Sequence, residues 1–274
     1  MRGARVAYEG AIAADPRRAV PFTELDEVLD RLETPRKERL ALLEAHRGTV
    51  VSTDPSIKCL ISLFVQLGRY DDALEALSGR RFHSWEGGYD VHRYWVEANL
   101  MKGDRELERG DPSVALELYR QSMTYPDNLE VKAQPGVRYT RENYKIGVAL
   151  EALGRRREAR EYYNLAVSDS LEQSSARQYF RGLAMAKLGR TEDAGEIFSR
   201  LLESSAERES ESHGTFADGL PYSDRVPVAL ARYKRSLALE GLGRGAEARA
   251  LHDEALALDP IVPLRAFGPP RAGW

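Results

Sequence analysis

One spacing rule recurs along this chain and limits it to stacked helix pairs. Gly154 and Gly189 stand 35 residues apart, and the residues around them match. Counted from each glycine, an alanine follows at plus five (Ala159, Ala194) and an aromatic at plus nine (Tyr163, Phe198), while a second glycine precedes at minus seven (Gly147, Gly182). A period of about 34 residues with fixed small and aromatic positions fits a unit of two antiparallel helices. The first glycine ends helix A, since it takes a left-handed backbone without steric penalty. The small residues let helix B lie close against helix A, and the aromatic fills the space between units.

The same ruler fits three further glycines. Gly110 has Ala115, Tyr119 and Ser122 ahead and Gly103 behind; Gly243 has Ala248, His252, Ala255 and Pro260 ahead and Ser236 behind; Gly68 has Ala73 and Leu77 ahead and Ile61 behind. On these residues the chain resembles the tetratricopeptide repeat proteins. The resemblance implies an all-α, right-handed superhelix of antiparallel helix pairs, extending over residues 1–260 and followed by an irregular, Pro-containing tail at 261–274. The ruler meets only its second half at the start (Ala4, Tyr8, Ala11, Pro16), so the chain is expected to open midway through a repeat: either Met1 is a truncated start, or another domain or a partner chain supplies the missing helix. Residues 22–47 read as a divergent helical pair, with Leu25, Val28, Leu29 and Leu32 at helical spacing and Thr34-Pro35 opening the second helix.

The repeat glycines also locate insertions. Gly68 to Gly110 is 42 residues, Gly110 to Gly154 is 44 and Gly189 to Gly243 is 54. The excess falls between one helix B and the next helix A: at 80–90, at 125–136 and, in a polar serine-containing stretch, at about 204–227. Insertions at equivalent points of successive repeats emerge on one side, often the binding side. The first two contain Arg81-Phe82-His83-Ser84-Trp85-Glu86-Gly87-Gly88 and Tyr125-Pro126-Asp127-Asn128-Leu129. With the run Glu38-Arg39-Leu40-Ala41-Leu42-Leu43-Glu44-Ala45-His46, they resemble the C-terminal helical region of a bacterial family of unknown function, in which β-sandwich domains similar to carbohydrate-binding or mutarotase-like folds precede the repeats. The β-sandwich domains of that family have no counterpart in these 274 residues. The resemblance implies an accessory or truncated C-terminal module of a carbohydrate-binding or glycan-processing protein as the alternative to a protein-interaction scaffold.

Composition narrows the function classes. A net charge of −3 gives no basic field for nucleic acid. No apolar run approaches the ~20 residues that span a bilayer, and charged residues through the first 20 positions leave no secretory signal visible. The single cysteine, Cys59, makes no internal disulfide and sits in an apolar run, which favours a reducing, cytoplasmic setting and a packing role. The five histidines have no metal-ligand spacing, and Gly241-Leu242-Gly243-Arg244-Gly245 coincides with a repeat turn, not with the strand a dinucleotide fingerprint follows. No catalytic constellation, metal or cofactor is expected.

Two candidate binding surfaces remain. Tyr144, Tyr179 and Tyr233 each stand ten residues before a repeat glycine, which puts them on one face of three A helices. The family resemblance makes that face the concave groove, where tyrosines would contact a protein or peptide partner; packing between adjacent A helices is the competing reading. The second surface is the insertion pair. Trp85 offers a flat apolar face to a sugar ring or an aromatic side chain, and His83, Glu86, Asp127 and Asn128 offer hydrogen-bonding groups to a glycan or partner segment. Its competing reading is a structural brace.

Overall fold

Each of the five repeat glycines from which the spacing is counted follows the end of a helix. Gly68, Gly110, Gly154, Gly189 and Gly243 have φ between 72° and 88°. At Gly154 the turn closes through the amide of Gly154 on the carbonyl of Glu151 and that of Arg155 on the carbonyl of Leu150, both at 2.9 Å. This left-handed cap satisfies carbonyls that the helix end leaves open. In four of the five turns the next residue is an arginine paired with an acid three positions on: Arg69 with Asp72 at 2.8 Å, and Arg155–Glu158, Arg190–Asp193 and Arg244–Glu247 at 2.6 Å. Each acid lies in the first turn of helix B, where the helix dipole favours negative charge.

The computed structural model describes residues 1–83, 89–133, 135–214 and 225–267. Among these residues every regular element is helical, and the chain is all-α, built of tetratricopeptide-like antiparallel helix pairs. It divides into two compact units, one of residues 1–105 and 121–135, the other of 106–120 and 136–274.

The first unit contains α1 (Arg2–Ala14), α2 (Val20–Arg31), α3 (Arg36–Ala45), α4 (Arg47–Val50), α5 (Asp54–Gln66), α6 (Tyr70–Ser78) and most of α7 (Tyr89–Glu108). Its core is Phe22, Leu25, Leu43, Leu60, Ile61, Leu63, Phe64 and Leu77, all buried. The divergent pair α2–α3 ends its first helix with the same turn as the repeats, the Glu33 amide on Asp30 and the Thr34 amide on Leu29, both at 2.9 Å. Here the left-handed position, φ 57°, is held by Glu33. A ruler built on glycine passes over it. Asp26, seven residues before Glu33, stands where the repeats have a small residue. It forms a buried two-pronged pair with Arg39, Nε to Oδ1 and Nη2 to Oδ2, both at 2.9 Å, and Arg39 also reaches Asp30.

The second unit contains α8 (Pro112–Gln121), α9 (Thr140–Ala152), α10 (Arg156–Ser168), α11 (Arg177–Lys187), α12 (Thr191–Gly214), α13 (Arg225–Gly241), α14 (Gly245–Leu258) and α15 (Val262–Ala266). From α9 to α14 each helix packs on the next, and α11 also lies between α9 and α13. The aromatics of the ruler lock into its glycines. A Cβ on Gly147 would overlap the ring of Tyr163, and a Cβ on either Gly182 or Gly241 would overlap the ring of Phe198. Phe198 therefore joins α12 to α11 and α13 at once, which gives Gly241 a packing role the ruler does not contain. The third inserted stretch is partly helical: α12 continues to Gly214, with Leu201 and Ser205 buried on its inner side.

Two outcomes test this packing. Gly147→Ala should lower stability by about 1–3 kcal/mol through overpacking, and by less in a Tyr163→Leu background, as read from urea denaturation midpoints. Glu33→Gly should raise stability by about 0.5–1 kcal/mol, because glycine takes the left-handed backbone that costs an L-residue energy.

Candidate functional site

The two inserted segments of the first unit are fastened to each other and to helix ends. The Phe82 amide donates to the Asn128 carbonyl at 2.8 Å. The Asn128 side-chain amide donates to the carbonyls of Leu77 and Arg80, both at 2.8 Å, and so covers the C-terminal end of α6. Arg81 pairs with Glu130 at 2.7 Å, and Phe82 and Leu129 are buried beneath. His83 is held at its base: its backbone amide donates to Asp54 Oδ2 at 2.8 Å, and its ring Nδ1 lies 3.1 Å from the same oxygen. Arg80 joins the other oxygen of Asp54 at 2.5 Å. Asp54 is buried in the first turn of α5, so this carboxylate organises the first insertion from a helix N-terminus. Asp127 is exposed, while Trp85 and Glu86 lie outside the described residues. The geometry of His83 and Asn128 is that of a brace, with both hydrogen bonds of the Asn128 amide used internally. Nearby, His92 stacks on Tyr125 at 3.9 Å and Trp95 Nε1 donates to the Gln121 carbonyl at 3.0 Å, two contacts the spacing rule does not reveal.

The second unit gathers the three tyrosines on one face. Tyr144 on α9 lies 6.0 Å from the Tyr163 ring and 5.8 Å from that of Phe180. Tyr179 on α11 lies 5.1 Å from Phe180 and 6.1 Å from Phe198, and burial first, then the nearby Glu240 carboxylate on α13, pushes its hydroxyl up. The Glu240 carboxylate also acts on Tyr144, although α11 separates their helices. Phe267 touches Arg141 of α9, Phe180 of α11 and Tyr233 of α13, so side chains of three A helices converge on this inner face of the unit. Tyr144 and Tyr179 are half-buried, with surface left to offer; Tyr233 is covered, packed at 5.5 Å on His252 and 6.3 Å on Phe267. The rim is charged. Lys187 Nζ lies 2.6 Å from Glu151 Oε2, which also accepts from the Tyr163 hydroxyl at 3.0 Å. Lys187 first, then Tyr163, holds the Glu151 carboxyl below its ordinary range.

Sequence reasoning missed how much of this face the chain supplies from elsewhere. Phe180, beside Tyr179, is the ring that connects α9 to α11. Phe267 comes from the Pro-containing tail, where no periodicity singles it out. Among the described residues no group of His, Cys, Asp or Glu is arranged to hold a metal ion, and none of their helices is long and apolar enough to cross a membrane.

This architecture defines an array of tetratricopeptide-like helix pairs. Residues 144–209, from within α9 to within α12, match the tetratricopeptide repeat family. The chain is also similar to the crystal structure of YrrB, described as a TPR protein with an unusual peptide-binding site, at 16% identity and a TM-score of 0.26, over 95% of this chain and 97% of that one.

The buried phenols give a pH signature. Burial first, then the charges of Glu151 and Glu240, push the Tyr144 hydroxyl up to about 12. A group raised in the folded state stabilises the fold fully below its unfolded value, near pH 10, and the contribution is lost as pH rises through the folded value. Stability should therefore fall between about pH 10 and pH 12. Tyr144→Phe should flatten this decline, as measured by urea midpoints at pH 9 and pH 11.5.

Proposed function

We propose that this protein is a non-catalytic scaffold for protein–protein interaction, and that the inner face of its second unit receives a protein or peptide segment. The observation that carries the reading is the pair of half-buried tyrosines, Tyr144 and Tyr179, held by Phe180 on rigid helices and flanked by Glu151, Lys187 and Glu240. Aromatic surface on a fixed backbone loses little conformational entropy on binding, and a charged rim adds orientation and selectivity. Chemistry elsewhere fits this reading. Burial pushes the Cys59 thiol up, which opposes thiolate formation, and His83 is engaged with Asp54.

The test uses a photo-crosslinking amino acid, benzoylphenylalanine, in place of Glu240, an exposed residue facing Tyr179. The control position is Arg157 on α10, whose side chain is 93% exposed. In an extract of the host, discrete adducts should form from position 240, be absent from position 157, and diminish when Tyr179→Ala is added. Identical adduct patterns from both positions would overturn the assignment of this face.

A further inference from the structure

The inner face of the second unit already has an occupant, and that occupant belongs to the same chain. After α14 the backbone turns back: α15 packs on α13, and Phe267 just beyond it reaches residues of α9, α11 and α13. Val262 and Phe267 are buried there with Ala176, Ala229, Tyr233 and Leu237. Phe267 is only 7% exposed. Its ring packs at 5.6 Å from Phe180 and 6.3 Å from Tyr233, and the Arg141 guanidinium lies over it at 4.3 Å from the centroid. Its carbonyl accepts a hydrogen bond of 2.9 Å from Arg177 Nη2. One residue from the tail thus touches A helices of three successive pairs. Its contacts are those of a bound peptide anchor: an enclosed aromatic side chain, a cation on the ring face, and an arginine on the main-chain carbonyl.

α15 has five residues, too few to persist as an isolated helix, and Arg265 in its last turn pairs at 2.6 Å with the buried Asp259 that precedes it. A ligand that prefers the vacated face would favour a displaced state of such a tethered segment. Building on the interaction reading above, we propose that this face takes apolar peptide segments anchored by an aromatic residue, and that residues 262–267 occupy it in cis until such a partner displaces them. The partner is specified by the occupant. It carries an aromatic side chain that fits between Phe180 and Tyr233 under Arg141, a main-chain carbonyl beside it for Arg177, and an aliphatic residue on its N-terminal side in the place of Val262. The cis segment lowers the affinity for such a partner by the fraction of time it is seated, since the apparent constant scales with the population of the open state.

Two measurements on the full chain test this. The probe is a fluorescein-labelled peptide with the sequence of residues 259–267, followed by fluorescence anisotropy. It should bind the Phe267→Ala chain at least about tenfold more tightly than the natural chain, because removing the anchor raises the open population; the peptide with alanine in place of its phenylalanine should show no such gain. The second measurement leaves the packing intact. With 4-fluorophenylalanine at position 267, saturating peptide should move the fluorine resonance from its buried position to that of a solvent-exposed ring. Equal affinity for both chains, no binding to either at millimolar peptide, or a fluorine resonance that stays fixed while the peptide binds would each overturn the proposal. Crosslinking from position 240 is independent of these readouts. Should it persist when they fail, the scaffold reading stands and cis occupancy falls.

Discussion

The second unit depends on an aromatic ring seated where a side chain is missing. Tyr163 lies on Gly147, and Phe198 lies between Gly182 and Gly241. Each ring is carried by a B helix and each glycine by an A helix. The contact therefore sets how closely the two can approach, and Phe198 extends it to the next pair. Protein interiors transmit such constraints because they are close-packed and resist compression. The left-handed turns supply the reversal, but the ring-on-glycine contact fixes the spacing at which the inner-face tyrosines come together.

The divergent pair α2–α3 in the first unit solves its packing differently. Asp26 occupies a position where the repeats are small, and the buried Arg39 reaches it with two parallel hydrogen bonds. A buried ion pair contributes little net stability, since desolvating two charges offsets most of their attraction; breaking one side leaves an uncompensated charge. Its geometric demands are strict, so it specifies one arrangement of α2 against α3. The inserted segments follow the same principle. Asp54, buried at a helix start, gathers His83 and Arg80, and Asn128 covers the end of α6, so polar groups that a loop would otherwise leave open are paired.

The inner face of the second unit combines residues of two origins. Tyr144, Phe180 and Tyr179 belong to helices locked by the glycine contacts. Phe267 arrives from the segment after α14 and packs over Tyr233. A site whose walls are rigid and whose occupant is tethered can be tuned by the occupant alone, since the walls need not rearrange for exchange.

Much of the fold was legible in the sequence because its determinants are local. A residue in a left-handed turn must be glycine or accept strain, so the five turn glycines announce their helix ends, while Glu33 shows the limit of that rule by accepting the strain. The small and aromatic positions, which must meet across one helix pair, keep a constant separation and so are visible as a period. The register of Tyr144, Tyr179 and Tyr233 on one face was also readable, from helical geometry. Their fates were not. Whether a tyrosine stays half-open, as Tyr144 and Tyr179 do, or is covered, as Tyr233 is, depends on what folds over it. The covering residue is Phe267, 34 positions beyond Tyr233 in a stretch without periodicity. Likewise the sequence offered His83 and Asn128 as free polar groups, and only the tertiary structure could assign them to Asp54 and to the end of α6, because those partners lie 29 and 51 residues away. Local conformational preference is written in adjacent residues; the pairing of distant groups is decided by the packing that brings them within hydrogen-bonding reach.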